Sequence, residues 1–394
     1  MPTPLPRLTA AQAAARLGVK PQTVYAYVSR GLLHRERAAQ GSTFDPLEVE
    51  AFAARRRRAS GAATAHPTTG MPLMVVQTSI VDIEDGELLY RGHRARDLID
   101  RPFAEVVSWL WGAEPVEATE AAVSAARAVI AGLPPSAGAL DRIRAAVTGF
   151  AAADPLRDDP SIAAVHRIGG VLLTGVPRAL GATTPTPDIA DALARALGAT
   201  ADAATVRAMN AALVLLIDHD LAVSTFAARV AASARADGYA AVAAALGAAD
   251  SPLHVGATTR AARLLARVRD GLDPERAVAE ALHDGRGIPG FGHALYDGVD
   301  DRADALLPLV AALPDGARAM EAAARLVDVV ATRTRLRPNV DLALAALASG
   351  AGIAPDGASA IFVHGRLAGW IAHVAAEYGE PAMRLRPRGQ YVGP

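Results

Sequence analysis

The stretch GFGHALY, residues 290–296, puts a histidine, His293, on a loop between two segments of helix-forming sequence. Pro289 precedes the stretch, and two glycines and two aromatic residues flank the histidine. Proline and glycine interrupt helices, so the chain breaks here and helices lie on either side. His293 is therefore held by backbone geometry, with little packing around it, and this position suggests a chemical role.

Outward from this loop, the composition predicts a mainly α fold. From about residue 76 the chain is dominated by Ala, Leu and Arg, which favour helices, with apolar residues at helical spacing. Examples are TEAAVSAARAVIAGL at 119–133, TVRAMNAALVLLI at 205–217 and PERAVAEALH at 274–283. Strand-like alternation is confined to 72–92, where a turn at Glu84-Asp85-Gly86 predicts a hairpin.

The charges divide the chain into a basic head and an acidic body. Residues 1–58 carry ten Lys or Arg and four Asp or Glu, a balance of +6, whereas the rest has a balance of −7. The composition turns small and polar within 55–70, so we predict a head at 1–58, a linker at 59–75 and a body at 76–394. The absence of cysteine excludes disulfides and thiolate chemistry. We expect a cytoplasmic protein with no signal peptide and no membrane segment.

The head has the pattern of two short helices joined by a tight turn. Thr9 is placed to cap the first helix and Gly18 to end it, while Pro21 opens a second helix that stops at Gly31. A small hairpin or wing and a third helix follow. AARLGVKPQTVYAYVSRGLL, residues 14–33, resembles the helix-turn-helix DNA-binding domain of the mercury-resistance regulator and excisionase type.

That resemblance implies a possible DNA surface. It places four side chains towards the major groove or the DNA backbone and two on phosphates; the four are Gln22, Thr23, Tyr25 and Tyr27, and the two are Lys20 and Arg30. The wing sequence AAQGSTF lacks arginine, and affinity grows with the number of phosphate contacts. A docking module that binds no DNA therefore remains the alternative.

Three histidines and one aspartate lie beside helix-breaking residues, and they could converge in one cleft: His219, His254, His293 and Asp341. Four others, in charged or loop sequence, are expected to be ordinary surface residues: His34, His66, His93 and His283. A metal site is not indicated, because no H-x-x-x-H or H-x-x-E-H pair occurs among the four converging residues. Neither a G-x-S-x-G elbow nor a P-loop nor a dinucleotide fingerprint occurs.

The remaining chemistry is acid–base work on a carbonyl compound. An aspartate can remove a proton beside a carbonyl group, one neutral histidine can donate a hydrogen bond to the enolate oxygen, and another can polarise an electrophilic carbonyl. Arginines bind carboxylates through two parallel hydrogen bonds, and Arg302, Arg366 and Arg386 are candidates for this role.

From about residue 76 to the C-terminus the chain resembles the citrate synthase family, with six motif blocks in the family's order. The blocks are TSIVDIEDGELLYRG, DHDLAVSTFAARVAAS, SPLHVGAT, GFGHALYDGVDDRA, PNVDLALAAL and GWIAH followed by RPRGQYVG. The resemblance implies condensation of acetyl-CoA with oxaloacetate, the reaction of the tricarboxylic acid cycle that gives citrate and CoA. It implies an acyl-CoA as substrate and neither a metal nor a further cofactor.

The resemblance also implies roles for single residues. Asp341 would be the base, His254 would hold the enol and His293 would polarise the oxaloacetate carbonyl. The dicarboxylate would be bound by His219, Arg302, Arg366 and Arg386, and the CoA adenine would lie against Pro289, Gly290, Phe291 and Gly292. The implied fold is an all-α homodimer with shared active sites, in which Arg386 serves the partner's site. A small mobile subdomain would span about 258–345.

Several positions depart from the family pattern and leave the substrate open. Four residues replace the family's usual ones: Val255 stands for the glycine after the enol histidine, Asp220 for glutamate, Asp301 for the proline of Asp-Pro-Arg, and Leu342 for the aromatic residue after the aspartate. In addition, the stretch LYDG lacks the basic residue often found after the histidine loop. Propionyl-CoA, giving 2-methylcitrate, is the near alternative. The distant alternative is a DNA-binding regulator whose enzyme-like body senses an acyl-CoA or a dicarboxylate.

Overall fold

The computed structural model describes residues 6–38, 41–59, 75–182, 186–283, 287–293, 295–296 and 298–393. Helices dominate this part of the chain, which confirms the predicted mainly α class. No helix within it is long and apolar enough to cross a membrane.

The head follows the predicted order of elements. Its strands and helices are β1 (Leu8–Thr9), α1 (Ala10–Leu17), α2 (Pro21–Ser29), β2 (Glu36–Ala38), β3 (Gly41–Phe44) and α3 (Pro46–Ala59). The Thr9 side chain accepts a hydrogen bond from the Gln12 amide, and Gly18 ends α1 in the left-handed conformation that glycine favours. Strands β2 and β3 pair antiparallel and form the predicted hairpin. Because α3 continues to Ala59, the basic run at 55–58 belongs to a helix; residues 60–74 of the predicted linker lie outside the described residues.

The body begins with the predicted hairpin. Strands β4 (Val81–Glu84) and β5 (Glu87–Tyr90) pair antiparallel around a turn at Asp85 and Gly86, both with positive φ. The elements that follow are β6 (His93–Arg94), a 3-10 turn (Ala95–Leu98), α4 (Phe103–Trp111), α5 (Glu120–Ala131), α6 (Ala139–Ala153), α7 (Ile162–Leu180), α8 (Ile189–Ala196), α9 (Ala203–Leu216), α10 (Val223–Ser233), α11 (Gly238–Ala249), α12 (Val255–Arg269), α13 (Pro274–His283), α14 (Asp301–Val310), α15 (Gly316–Arg333), α16 (Val340–Gly350) and α17 (Gly357–Tyr378).

Helix α17 is the centre of the body. Nearly all of its residues are buried, and it packs against α7, α9, α10 and α12. Small residues permit the close approach to α9: a Cβ added at Gly369 would lie 2.0 Å from the Ile217 carbonyl oxygen, and one at Gly365 would lie 2.8 Å from Leu216 Cβ. The two glycines therefore fix where the end of α9 lies against α17.

The predicted subdomain at 258–345 covers α13, α14, α15 and most of α12. Its boundaries both fall inside helices, because α12 begins at Val255 and α16 runs to Gly350. Helix α12 also packs against α16 and α17, so it is shared between this region and the rest of the body. The mobility of the region stays a prediction.

The contact between α9 and α17 can be tested by adding one methyl group. In Gly369→Ala the new Cβ meets the Ile217 carbonyl, and overpacking of this kind costs about 1–3 kcal/mol. The matched control is Gly247→Ala in α11, where a Cβ meets nothing within 4 Å; we expect it to stabilise the protein by about 0.5–1 kcal/mol through its helix propensity. Chemical denaturation measures both values, and equal stability of the two variants would contradict the close approach.

Candidate active site

His219 follows the end of α9, as predicted, and is buried. Its backbone amide donates to Asp218 Oδ1 at 2.9 Å, and its Nε2 shares a 2.8 Å hydrogen bond with the Tyr296 hydroxyl. Burial, followed by the charge of Arg302, lowers its pKa well below the usual value. The imidazole is therefore neutral near pH 7.

His254 occupies the N-cap position of α12. Its Nε2 lies 2.8 Å from Ser224 Oγ, which also accepts a hydrogen bond from Trp370 Nε1 at 3.3 Å. Because indole only donates, the arrangement is satisfied when Ser224 donates to Nε2, and Nδ1 of His254 then carries the proton. Burial lowers the His254 pKa to about 3, with a smaller contribution from Arg366, so this ring is a neutral donor.

Asp341 is the second residue of α16. Asn339 caps this helix, and its Oδ1 accepts a hydrogen bond from the backbone amide of Asp341 at 3.0 Å. The Thr258 hydroxyl donates to Asp341 Oδ1 at 2.5 Å. Burial raises the Asp341 pKa to about 6, although the Thr258 hydrogen bond and Arg302 act in the opposite direction. A carboxyl group with this pKa is ionised near neutrality and is a stronger base than an exposed aspartate.

His293 lies beside His219, with 4.8 Å between the ring centroids, and beside Tyr296, with 4.9 Å. The Leu295 amide donates to its Nδ1 at 3.1 Å, so the proton of the neutral ring is on Nε2. This backbone contact orients the ring on its loop.

The loop glycines serve the packing of the protein itself. Gly290 and Gly292 both have positive φ, and a Cβ on Gly290 would lie 3.0 Å from Leu342 Cβ. The loop is tied to the start of α16 by hydrogen bonds from the Asn339 backbone amide to the Gly290 carbonyl and from its side chain to the Gly292 carbonyl. An added requirement for close approach of CoA at residues 289–292 stays a prediction.

Two of the three candidate arginines are buried at this site. Arg302 forms a two-point ion pair with Asp300, with both contacts at 2.9 Å. Arg366 donates to the Leu216 carbonyl at 2.8 Å and lies over the Phe362 ring, against whose edge His254 also packs. Among the described residues, Arg366 Nη1 has no hydrogen-bond partner although it is buried. A ligand carboxylate would satisfy this atom.

Arg386 lies apart from these residues, exposed on the C-terminal tail, where its backbone amide donates to the Met383 carbonyl at 3.2 Å. The structure thus brings together both buried arginines, the three histidines and Asp341, and leaves Arg386 outside this chain's own site.

A buried polar network behind His219 was not predicted. Asp218 Oδ2 lies 2.6 Å from His373 Nε2, and Arg229 donates to His373 Nδ1 at 3.1 Å. Because arginine cannot accept, His373 carries its proton on Nε2 and donates it to Asp218. Arg229 and Arg384 both pair with Glu377. The spacing of His373 and Glu377 by four residues in an apolar helix was the available sequence signal.

No group of three or more potential ligands that could hold a metal ion occurs in the part of the chain that the structure describes.

The candidate DNA-binding residues of the head differ in exposure. Lys20, Gln22 and Arg30 are exposed, Thr23 is half-buried and Tyr25 is 40% exposed. The half-buried Tyr27 instead packs edge-on against Phe52, with 4.8 Å between the ring centroids. Its ring therefore contributes to the packing of the head, and a contact of Tyr27 with the major groove or the DNA backbone stays a prediction.

Comparison with known proteins gives one consistent result. Residues 68–388 match the family model "Citrate synthase, C-terminal domain". The chain is 30% identical over 353 residues to 2-methylcitrate synthase of Mycobacterium tuberculosis, covering 83% of this chain and 88% of that protein. It is 35% identical to citrate synthase 2 of Bacillus subtilis over 192 residues, which is 48% of this chain and 51% of that relative.

Solved structures agree. Citrate synthase of the archaeon Thermoplasma acidophilum, in a ternary complex with carboxymethyl coenzyme A and oxaloacetate, aligns with a TM-score of 0.69 and 25% identity over 82% of this chain and 95% of that one. Citrate synthase of Thermotoga maritima aligns with a TM-score of 0.65 and 26% identity over 82% of this chain and 94% of that one.

The raised pKa of Asp341 predicts a stability effect that is independent of turnover. The folded state holds this proton up to about pH 6, whereas an unfolded chain releases it near the ordinary value of 3.8, so the stabilising contribution is complete below pH 3.8 and is lost as pH rises through 6. Asp341→Asn removes this dependence. We expect it to be more stable than wild type above pH 7, by up to about 3 kcal/mol, and the difference to disappear towards pH 4.

Urea denaturation at fixed protein concentration across this pH range measures the difference. A constant difference between the two proteins at every pH would show that Asp341 titrates normally.

Proposed function

Because this chain belongs to the citrate synthase family, we propose that it condenses an acyl-CoA with oxaloacetate and releases free CoA, with citrate as the product from acetyl-CoA. The observation that carries this proposal is a carboxyl group with a raised pKa, Asp341, in the same site as two neutral histidines, His219 and His254. The site also holds a buried nitrogen of Arg366 that makes no hydrogen bond within the described residues.

The geometry supports a division of labour between these groups. Asp341 would take a proton from the carbon beside the thioester carbonyl, and Nδ1–H of His254 would donate to the enolate oxygen. The enol carbon would then attack the oxaloacetate ketone, whose oxygen His293 would polarise through Nε2–H. Water would finally hydrolyse the thioester, so that citrate and CoA leave.

The dicarboxylate would be held mainly by Arg366 and His219. Arg366 offers its Nη1 atom, which makes no hydrogen bond within the described residues and lies 4.0 Å from Asp218 Oδ1. His219 lies next to His293. Arg302 is already paired with Asp300, so a carboxylate would share it with that residue. A carboxylate at Arg366 would supply the hydrogen bond that its Nη1 atom lacks within the described residues.

Propionyl-CoA is the second acyl donor to be tested, since the Mycobacterium tuberculosis relative is a 2-methylcitrate synthase. Val255 and Leu342, two of the positions that depart from the family pattern, are both buried. Leu342 lies against Gly290 in the loop at 289–292, which is expected to hold the CoA adenine. Assaying acetyl-CoA and propionyl-CoA against oxaloacetate, with detection of the released thiol, decides between the two. Absence of turnover with both would leave a sensor of acyl-CoA as the function of the body.

The base assignment predicts a change in both rate and pH profile. Asp341→Asn should lower kcat about 10²–10⁴-fold with oxaloacetate binding retained, because the amide cannot accept the proton. In wild type, kcat/KM should fall as pH drops through about 6, where Asp341 becomes protonated. Thr258→Val removes a hydrogen bond that lowers the pKa of Asp341. In this variant the fall of kcat/KM on the acidic side of the pH profile should therefore move to higher pH.

The matched control for this shift is Thr259→Val. Thr259 is the next residue on α12 and bonds to Ser359 instead of Asp341. An acidic limb that stays in place in Thr258→Val, or that moves equally in both variants, would contradict Asp341 as the base.

We also propose a homodimer in which Arg386 completes the partner's site. Arg386 is exposed on a tail that contains the exposed apolar residues Met383, Tyr391 and Val392, and α10 exposes Val223 and Val230. These apolar residues suit burial against a second copy of the chain.

Shared sites predict complementation between two inactive variants. Asp341→Ala and Arg386→Ala, each carrying a different affinity tag, are co-expressed and the mixed dimer is isolated through both tags. In this dimer one site has both lesions and the other has none, so about half of wild-type activity should return. A mixed dimer confirmed by mass spectrometry that is no more active than either parent would exclude the shared site.

For the head we propose a helix-turn-helix module that binds DNA. The exposed Lys20, Gln22 and Arg30 at the two ends of α2 and the +6 balance of residues 1–58 support it. Binding to genomic fragments should weaken steeply with salt, and the salt dependence should become shallower in Lys20→Gln. Binding that is absent at low salt would favour a docking module.

A further inference from the structure

A cavity of about 360 Å³ lies where the head meets the body. Its walls come from the head, from α12, from α13 and from the start of the loop at 289–292. The residues used below are Pro6 of the head, Arg260, Arg263 and Arg267 of α12, His283 of α13, and Pro289 of the loop. The volume is within the range of small-molecule sites.

The wall formed by α12 is positively charged. Its three arginines are spaced three and four residues apart, so they follow one face of the helix. Glu280 also lines the cavity, but it is shared between Arg267 at 2.6 Å and Arg276 at 2.9 Å. Arg263 is exposed and makes no hydrogen bond or ion pair with any residue that the structure describes. Arg263 therefore contributes to the cavity a positive charge that no described carboxylate pairs with.

The head is docked on another wall of the cavity, the one formed by the end of α13. Gln12 of α1 shares a 3.3 Å hydrogen bond with His283, and Arg16 donates to the Leu282 carbonyl at 3.1 Å. Leu47 of α3 packs into the main core of the body and not into the core of the head. His283, expected to be an ordinary surface residue, is thus a contact between head and body, and Pro6 brings the head to the edge of the cavity.

We propose that this cavity binds a diphosphate-type anion and that the bound anion strengthens docking of the head on the body. Guanidinium groups favour phosphate oxygens, and several of them around one cavity suit an anion with more than one charge. Pro6 lines the cavity only while the head is docked, so an anion held by the arginines is better enclosed in the docked arrangement than in the undocked one. By linkage, docking then raises the affinity for the anion by the same factor.

Two sources supply this chemistry. One is the diphosphate of the acyl-CoA, since Pro289 opens the loop expected to hold its adenine; this source rests on the proposed function. The other is a separate phosphorylated effector. The site itself is independent of turnover, so the test below uses binding only.

The test is calorimetric titration of the full chain with inorganic pyrophosphate at an ionic strength of about 0.15 M, where weak surface attraction is screened. We expect one saturable site per chain. Arg263→Gln should weaken pyrophosphate binding roughly tenfold, as expected for the loss of one charged hydrogen bond, and Arg263→Lys should restore part of the affinity. The matched control is Arg318→Gln, an exposed arginine on α15 outside the cavity, which should leave the affinity unchanged.

No saturable binding, or equal affinity in wild type and Arg263→Gln, would overturn the site. Competition identifies the source: displacement of pyrophosphate by saturating CoA assigns the cavity to the acyl-CoA diphosphate, whereas simultaneous binding assigns it to a separate effector. If the wild-type protein binds pyrophosphate but turns over neither acetyl-CoA nor propionyl-CoA, the proposed function is refuted and the anion site is retained.

Hydrogen–deuterium exchange tests the coupling to the head. At a concentration near its Kd for wild type, pyrophosphate should slow amide exchange in α1 as well as in α12 and α13, and the protection of all three helices should be much weaker in Arg263→Gln. Protection of α12 and α13 with unchanged exchange in α1 would overturn the coupling.

Discussion

Two guanidinium groups buried in the middle of the body constrain everything around them. Arg302 and Arg366 are 2% and 1% exposed, and a buried charge is tolerated only when it is paired. Asp300 supplies a two-point partner for Arg302, whereas Asp218 lies 4.0 Å from Arg366. With two cations fixed here, a third positive charge nearby is unfavourable. The arginines therefore reinforce burial in keeping the neighbouring histidines neutral, and neutral imidazole is the form that can both donate and accept.

The incomplete pairing of Arg366 would suit the site to an anionic ligand. Burial lowers its pKa to about 10, and its Nη1 atom lacks a hydrogen bond within the described residues. The charge is nevertheless held in place by the apolar surroundings of α17, by the Leu216 carbonyl and by the Phe362 ring. A ligand carboxylate would supply the hydrogen bond that the Nη1 atom lacks within the described residues, and the close packing of α17 on α9 holds the arginine in place.

The sequence predicted the elements and the residues of the candidate site but not the long-range contacts between them. Breaker residues located the loop of His293 and the helix start of Asp341, because proline, glycine and capping chemistry act over a few positions. Thr258 reaches Asp341 across 83 residues, and Asp218 reaches His373 across 155, so no local pattern reveals either contact. The same limit applies to the predicted subdomain at 258–345: both of its boundaries fall inside helices, where the composition has no break. The glycines of the loop were assigned to a ligand, whereas their positive φ and the nearby Leu342 give them a role in the fold first.

Helix α12 connects the chemistry to the junction with the head. Its first turn carries His254 as the N-cap and Thr258, which holds the Asp341 carboxyl group. Arg263 and Arg267 lie further along the same helix, and at 1.5 Å per residue the distance from His254 to Arg267 is about 20 Å. Helix α12 packs on α16 and α17, and a rigid shift of this helix at its basic end would also displace the Thr258 hydroxyl. A displacement of this hydroxyl weakens a 2.5 Å hydrogen bond whose effect is to lower the pKa of Asp341. Through this helix an anion at the head–body junction and a substrate at the active site would act on the same hydrogen bond, and their effects on each other's affinity would be equal and reciprocal.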